Sequence, residues 1–261
     1  MADARVVRLI KKWLHAGVLE DGQVKVSELG TVQGGSISPL LANVYLHYAF
    51  DHWVEQWKRR QARGDVVMVR YADDWVAGFQ LQGDAQRFRR EAAQRLQKFG
   101  LKLHENKTRL IEFGRFARER RSRRGQGKPE TFDFLGFTHC CGQAKNGKFV
   151  VLRLTSGKRM RAKLKAIGQE LRRRLTRPTD EQGQYLRAVV NGHARYFGVP
   201  RNARRLQTFR YRVAQLWHKA LCRRGHKRPI KWQRMSVLVQ RWLPYPRICH
   251  PYPNQRLIVT T

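Results

Sequence analysis

Two adjacent carboxylates stand in the stretch of this sequence whose residue types best suit chemistry. Asp73 and Asp74 lie between two apolar runs, Val66–Val69 and Trp75–Phe79. Both runs have the length and the β-branched and aromatic content of strands, so they predict a hairpin with its turn at the aspartates. Such a turn crowds both carboxylates at one end of the sheet, where a cation relieves their repulsion. Oxygen ligands of this kind favour Mg²⁺.

A purely structural explanation of the same pair stays open at this point. Aspartate is common in tight turns, because its side chain accepts hydrogen bonds from the nearby backbone and it tolerates left-handed conformations. For an isolated Asp-Asp pair this explanation is the more frequent one, since short motifs often match by chance. The rest of the chain therefore has to decide between a turn and a metal site.

The charge of the chain indicates its partner. The 261 residues include 54 Lys and Arg against 19 Asp and Glu, which gives a formal net charge of +35. So dense a positive charge destabilises a compact fold unless a polyanion neutralises it, and it predicts salt-dependent contacts with phosphates. Nucleic acid is the first candidate. An anionic membrane surface is the alternative, but no apolar run is long enough to span a bilayer and the basic residues are spread over the whole length, so no membrane partner is expected.

A glycine-bearing segment precedes the hairpin. Gln33, Gly34 and Gly35 lie in a predicted loop before a helix, for which Ser38 is a suitable N-cap and Pro39 a suitable first residue. The glycines either punctuate the loop or let a sugar-phosphate or base approach the backbone beside the helix N-terminus. The helix carries an apolar stripe that is expected to be core, formed by Leu46, Phe50, Trp53 and Trp57.

The pattern downstream of the first hairpin alternates between helix, strand and loop. Asp84 is predicted to cap a helix that ends at Gly100, and residues 101–103 are predicted to form a short strand. Residues 115–131 are rich in Arg, Gly and Ser and are predicted to form an exposed basic loop that touches phosphate.

A second hairpin and a helical part complete the predicted elements. The hairpin is expected from residues 132–137 and 149–154, with its turn at Asn146-Gly147, a dipeptide that fits a type I′ turn. Beyond residue 155 the chain changes to helices with apolar faces and many cations. These helices are predicted over residues 156–175, 180–197 and 201–224.

Ordered motifs give the chain a family resemblance. Residues 31–43, 70–74, 100–108 and 134–137 resemble the successive palm motifs of reverse transcriptases, and most closely those encoded within bacterial group II introns. The sequence Asn-Gly-His-Ala-Arg-Tyr-Phe at residues 191–197 resembles the signature of their maturase domain, which overlaps the polymerase thumb. Each motif alone is weak, but the ordered set covers nearly the whole chain.

The resemblance implies both a fold and a function. The expected fold is α+β, with an incomplete polymerase palm of antiparallel sheet and helices over residues 1–154. An α-helical thumb/maturase domain is expected over residues 155–240 and an irregular tail over 241–261. The implied activities are RNA-directed DNA polymerisation and assistance to intron RNA splicing, with Mg²⁺ as cofactor. The implied location is the bacterial cytoplasm, in association with nucleic acid.

The resemblance also assigns roles to individual residues. Asp73 and Asp74 are implied to be catalytic, with Asp73 coordinating Mg²⁺ and Asp74 supporting the metal site. Tyr71 and Ala72 are implied to lie near the primer terminus and incoming nucleotide, and Lys107 near the departing phosphates. The template and nucleotide pocket is assigned to Gln33, Gly34 and Gly35. The cations expected to grip intron RNA and the RNA/DNA template-primer are Lys158, Arg161, Lys165, Arg172, Arg173 and Arg195.

One departure from the family pattern limits the expected activity. The two-metal site of this family also takes a carboxylate from an earlier palm motif, which is expected upstream of the helix that begins near Arg5. Asp3 and Asp21 are in the wrong places to replace it. We therefore expect a C-terminal portion, without fingers and first palm motif, that polymerises only with a complementing upstream fragment. The alternatives are a non-catalytic maturase fragment that binds intron RNA and an inactive truncated remnant.

Overall fold

The computed structural model describes residues 3–15, 18–20, 23–25, 37–224 and 230–252. Helices are mixed with antiparallel sheets, which confirms the α+β prediction. By internal contacts the chain divides into two compact units, Met1–Leu110 and Ile111–Thr261, called here the N-terminal and C-terminal units. The predicted boundary between residues 154 and 155 separates a palm from a thumb/maturase domain by function and not by internal contacts, and it stays a prediction.

The N-terminal unit begins with helix α1, Ala4–His15, and two short antiparallel strands, β1 Val18–Glu20 and β2 Gln23–Lys25. A helical run follows in three parts, of which the middle one is a π-helical turn, His47–Asp51. The turn lies between α2 Ser38–Leu46 and α3 His52–Arg60. The strands β3 Val66–Tyr71 and β4 Asp74–Phe79 and the helix α4 Gln82–Gln97 follow.

Aromatic side chains form the core of this unit. Phe88 of α4 is fully buried and contacts four other rings, with centroid separations of 4.9 Å to Trp57 and 5.2 Å to Phe79. The indole of Trp57 donates a hydrogen bond of 2.7 Å to Glu91 Oε2, which satisfies its one polar group. The predicted stripe of the preceding helix is confirmed as core, with Phe50 and Trp57 buried and Leu46 and Trp53 packed against them.

Three local predictions in this unit were wrong. Ile37, not Ser38, takes the N-cap position of α2, and Ser38 is the first helical residue. Asp84 lies inside the first turn of α4, where its carboxylate accepts hydrogen bonds from the Arg63 and Gly64 amides at 2.8 and 3.0 Å. It therefore ties a loop to the helix instead of capping it. Residues 101–103 form no strand: Leu101 and Leu103 pack on the aromatic core, and no strand of the described residues pairs with them.

The C-terminal unit contains a three-stranded antiparallel sheet and a set of helices. The strands are β5 Phe132–Phe134, β6 Phe137–Gln143 and β7 Phe149–Thr155, in the order β5-β6-β7. The helices are α5 Ala117–Arg123, α6 Gly157–Arg173, α7 Thr179–Phe197, α8 Ala203–Arg224 and α9 Trp232–Trp242. The three predicted helices correspond to α6, α7 and α8.

The predicted second hairpin was partly wrong. The two-residue turn lies at Leu135-Gly136, where φ is +48° and +81°, as a type I′ turn requires. Asn146-Gly147 instead belongs to the longer connection between β6 and β7. Strand β6 was missed, and the predicted basic loop at 115–131 contains the short helix α5.

Helix α6 packs its predicted apolar face inward. Met160, Ile167 and Leu171 are buried, and Leu164 and Leu175 lie against the same cluster. The centre of that cluster also holds a satisfied polar contact: Trp217 Nε1 donates a 3.0 Å hydrogen bond to Gln182 Oε1. The amide nitrogen of Gln182 in turn donates to the carbonyls of Arg174 and Arg177, which closes the end of α6. Such a fully bonded buried network fixes how these helices pack.

Candidate functional site

The tip of the β3–β4 hairpin carries the predicted aspartates. The ladder runs from Val66 opposite Phe79 to Tyr71 opposite Asp74, which confirms the predicted hairpin. Ala72 and Asp73 alone form the turn, so Asp74 is the first residue of β4 and not a turn residue. Ala72 has φ of +53°, a left-handed conformation that is uncommon for a residue with a Cβ atom. Strained backbone of this kind occurs often at functional sites.

The two faces of the hairpin have opposite surroundings. One face packs on the aromatic core through Val66, Met68, Trp75, Ala77 and Phe79. The other face is open, with Val67, Val69 and Tyr71 exposed. Residues directly opposite each other in an antiparallel pair project to the same side, so Asp74 shares the open face with Tyr71. Both aspartates are exposed at this end of the sheet.

Arg70 anchors the tip to the helices beneath it. It lies on the core face of β3, and its guanidinium forms a two-pronged ion pair with Asp51, at 2.7 Å from Nε to Oδ1 and 2.6 Å from Nη2 to Oδ2. The third nitrogen, Nη1, donates to Asn43 Oδ1 at 2.9 Å and to the carbonyl of Ala72 at 2.7 Å. One side chain thus joins the strained turn to α2 and to the π-helical turn.

The electrostatics of this anchor favour its charged form. Burial raises the pKa of Asp51, but the hydrogen bonds and the charge of Arg70 outweigh burial and hold that pKa below its ordinary value. His47 adds a weaker contact to the same carboxylate at 3.5 Å. A planar guanidinium suits this task because it bonds a carboxylate with two parallel N–H groups and still has a third nitrogen to donate.

The other residues assigned to polymerisation do not belong to the hairpin tip. Gln33, Gly34 and Gly35 lie outside the described residues. Lys107 is exposed in a turn after α4, where its amide and that of Thr108 donate to the carbonyl of His104. The hairpin brings Tyr71, Ala72, Asp73 and Asp74 together, whereas Lys107 belongs to a separate segment of the same unit.

The cations predicted to bind RNA are at the surface of the C-terminal unit. All six are exposed, and five of them lie on α6 and one on α7: Lys158, Arg161, Lys165, Arg172, Arg173 and Arg195. Arg173 is 3.7 Å from Glu170, a contact whose arginine is largely exposed and which therefore contributes little. The outward orientation predicted for the α6 cations is confirmed.

Two of the sequence motifs meet in the C-terminal unit. The turn of β5–β6 lies against the end of α7, where Tyr196 donates a 3.0 Å hydrogen bond to the carbonyl of Leu135. Phe137 contacts the rings of Tyr196 and Phe197, with centroids 5.9 and 5.1 Å apart. A Cβ atom on Gly136 would lie 3.5 Å from the Phe197 ring, an ordinary van der Waals contact, so the turn needs glycine for its positive φ and not for space.

The middle of the 191–197 motif serves the core. His193 is buried and stacks on Phe209 with a centroid separation of 3.7 Å. Its Nε2 atom is buried and has no hydrogen-bond partner among the described residues, and burial together with the charge of Lys163 lowers its pKa to about 4. The ring is therefore neutral at physiological pH.

A comparison with known proteins places the chain in a family. Residues 2–139 match the family described as reverse transcriptase (RNA-dependent DNA polymerase), and this match covers more than half of the chain. The chain belongs to the reverse transcriptase family. The matched region includes the whole hairpin and its Arg70 anchor. The family resemblance predicted from the ordered motifs is confirmed.

Individual relatives agree with this membership. The chain is 48% identical to the group II intron-encoded protein LtrA of Lactococcus lactis over 58 residues, which is 22% of this chain and 10% of that protein. It is 45% identical over 56 residues to an uncharacterized 91 kDa protein in the cob intron of Schizosaccharomyces pombe, covering 22% of this chain and 7% of that protein. Protein YkfC of Escherichia coli is 32% identical over 29% of this chain and 26% of its own length. The matched stretches are thus a minor part of each relative.

The described residues were also compared with the requirements of a metal cluster and of a membrane-spanning helix. Among the described residues there is no group of three or more His, Cys, Asp or Glu side chains that could hold a metal ion. Any metal at the tip would therefore rely on Asp73 and Asp74 within the described part of the chain. No helix in the described ranges is long and apolar enough to cross a membrane.

Sequence reasoning missed the anchor although it contained a signal for it. Val66, Met68 and Arg70 alternate along β3, which places a charged side chain on the core face of a strand. A charge in that position needs a partner. The strand pattern alone could have marked Arg70, but not which carboxylate meets it, since Asp51 and Asn43 reach it only through the tertiary fold.

Proposed function

We propose that this chain acts in RNA-directed DNA polymerisation as part of a group II intron protein, with the hairpin tip as its catalytic element. The observation that supports this function is the anchored tip, which holds two exposed carboxylates at the end of a rigid hairpin. A site on a strand end braced by packing and hydrogen bonds keeps its geometry better than one on a loose loop.

The residues of the tip suit phosphoryl transfer. Asp73 and Asp74 offer oxygen donors in the small number that Mg²⁺ takes from proteins, and their exposure leaves room for water and substrate phosphates. Mg²⁺, when bound, supplies charge stabilisation to the attacking and leaving oxygens. Tyr71 is 65% exposed opposite Asp74, and this exposure supports a role for it in contacting the sugar or base of a primer terminus.

Primer extension tests this function. The purified chain is given an RNA template, a DNA primer, Mg²⁺ and deoxynucleotides, and Asp73→Asn is compared with Asp65→Asn. Asp65 is a matched control, because it is an exposed aspartate at the opposite end of the same hairpin. When a fragment that supplies the fingers and the first palm motif is added, we expect extension by the parent chain and by Asp65→Asn, and loss of at least about a hundredfold in Asp73→Asn. Equal extension by both variants would exclude Asp73 from catalysis.

A second candidate function is binding of intron RNA to assist splicing without polymerisation. The six exposed cations on α6 and α7 favour it, because cations spread over a helical surface contact phosphates without needing a metal site. This function depends on the C-terminal unit alone. Absence of extension together with salt-sensitive RNA binding would assign the chain to this class.

The salt dependence of RNA binding measures the role of these cations. Removal of one cation that contacts a phosphate should lower the slope of log K against log salt by about one. We expect Arg172→Ala with Arg173→Ala to lower the slope by about two. A matched pair on α4, Arg89→Ala with Arg90→Ala, shows whether any two exposed arginines have the same effect. Failure of the parent chain to bind RNA at all would contradict both candidate functions.

A further inference from the structure

A cavity on the C-terminal unit lies outside the surfaces described above. It has a volume of about 460 Å³ and lies against α8 and the beginning of α9. Among the described residues, Tyr211, Gln215, His218 and Trp232 line it. This volume falls within the roughly 300–1,000 Å³ typical of ligand clefts.

The cavity has exposed aromatic walls. Tyr211 is 53% exposed and Trp232 45% exposed, whereas the opposite face of α8 is buried through residues such as Phe209 and Trp217. Tyr211, Gln215 and His218 follow one another at helical spacing, so they lie on one outward face of α8. Large aromatic rings left open to water commonly mark a binding surface, and nucleobases stack on such rings.

Polar groups of the lining suit the edge of a base. His218 Nε2 is 2.7 Å from the carbonyl of Ile230, so this nitrogen carries the proton and donates. In the tautomer with the proton on Nε2, the other ring nitrogen, Nδ1, accepts hydrogen bonds. Gln215 accepts a 3.0 Å hydrogen bond from Arg212 through Oε1, which orients its amide nitrogen as a donor. A donor and an acceptor beside stacking rings match the hydrogen-bonding edge of an unpaired base.

The charge around the cavity favours a polyanion. Residues 182–261 contain 17 Lys and Arg and no Asp or Glu. Arg212, Lys219 and Lys231 are exposed and each is the chain neighbour of a cavity residue. An acidic peptide would be attracted by the same charge, but only a nucleic acid carries a flat ring on every residue for the aromatic walls. Stacking surfaces combined with surrounding cations are the pattern by which proteins hold single-stranded nucleic acid.

We propose that this cavity takes one unpaired base of a structured RNA. The base stacks on Tyr211 or Trp232, and cations around the cavity contact the phosphates on either side. The proposal rests on the proposed RNA binding and deepens it, since it names a subsite for a nucleotide outside a helix. Paired RNA would contact the surrounding cations but leave the cavity empty.

The test uses two short RNA duplexes that differ by a single bulged nucleotide, the fluorescent base 2-aminopurine. Affinity for both duplexes and quenching of the bulged base are measured with the full chain. We expect the bulged duplex to bind about tenfold more tightly and its fluorescence to be quenched on binding, because a stacked base contributes severalfold or more to affinity. Tyr211→Phe should keep this preference, and Tyr211→Ala combined with Trp232→Ala should abolish it while binding of the paired duplex stays unchanged.

A matched variant separates the cavity from aromatic surface in general. Phe116→Ala removes an exposed ring of the same unit that does not line the cavity, and it should leave the preference for the bulge intact. Equal affinity for both duplexes in the parent chain would overturn the cavity proposal while leaving RNA binding in place. No binding of either duplex would overturn the proposed function as well.

Discussion

Replacement of Arg70 probes how the hairpin tip is held. Arg70→Lys keeps the positive charge but loses the planar fork, so a single nitrogen has to replace bonds now made by three nitrogens to Asp51, Asn43 and the Ala72 carbonyl. Arg70→Ala removes all of them. The first change tests the geometry of the anchor and the second tests its presence.

The expected magnitude follows from the contacts. The side chain makes four hydrogen bonds, two of them with a carboxylate, and hydrogen bonds to charged groups contribute about 1.5–3 kcal/mol each. The side chains of Arg70 and Asp51 are 14% and 31% exposed, so solvent screens part of this energy. We expect Arg70→Ala to lower the free energy of unfolding by about 3 kcal/mol and Arg70→Lys by about 1–2 kcal/mol.

The acid dependence of the same variants checks the ion pair. The folded pKa of Asp51 lies below its ordinary value of 3.8, so the stability supplied by the pair is present above that pH and is lost as pH falls through the folded pKa. Part of the acid destabilisation of the parent chain below about pH 4 should therefore be missing in Arg70→Ala.

Urea unfolding and primer extension together decide whether Arg70 positions the tip or only stabilises the fold. If it positions the tip, Arg70→Lys should lower kcat for extension by about tenfold or more under conditions where the variant is fully folded, with little change in KM for nucleotide. Lys58→Ala is the control, since it removes an ion pair with Glu55 on the same unit away from the tip. Unchanged stability and unchanged extension in Arg70→Lys would refute the anchor.

Three further predictions concern the two cores and one turn. His193 has a pKa of about 4 in the folded chain against an ordinary value of 6.5, so the free energy of unfolding should fall by about 3 kcal/mol as the pH is lowered from 6.5 to 4. His193→Phe should reduce this pH dependence when it is measured by urea unfolding. An equal pH dependence in both proteins would exclude this histidine as the cause. Phe88→Ala opens a cavity among the rings it contacts and should cost about 3–5 kcal/mol by chemical denaturation, and a loss below about 1 kcal/mol would show that the core collapses onto the space. Gly136→Ala places a Cβ on backbone with φ of +81° and against Phe197, and should lower Tm with a cost of about 1–2 kcal/mol, whereas a neutral result would mean that the turn relaxes.

The sequence was a good guide where local pattern and tertiary structure agree. The alternation from Val66 to Phe79 predicted the first hairpin because one face of both strands packs on aromatic residues. The turn was displaced by one residue, since Ala72 takes a left-handed conformation more typical of glycine, asparagine or aspartate. The apolar spacing of α6 likewise predicted its buried face correctly.

Other features depend on contacts between distant segments and could not be predicted. Strand β6 contains His139, Cys140, Cys141 and Gly142, which lack strand character, and it is defined by its pairing with β5 and β7 on either side. Asp84 has the residue type of a cap but bonds the Arg63–Gly64 loop, 20 residues away. The ion pair between Arg70 and Asp51 could not be predicted either, because the π-helical turn that carries Asp51 has no clear sequence signature.

Binding of a divalent cation to the hairpin tip is the decisive measurement for its role. Mn²⁺, a paramagnetic substitute for Mg²⁺, can be titrated by electron paramagnetic resonance against the parent chain, Asp73→Asn and Asp65→Asn, without requiring polymerisation. We expect a Mn²⁺ site that weakens at least about tenfold in Asp73→Asn and is unchanged in Asp65→Asn, because the tip aspartates supply its ligands and Asp65 does not. Equal binding of Mn²⁺ by all three proteins would contradict the assignment of the tip as the metal-binding catalytic element.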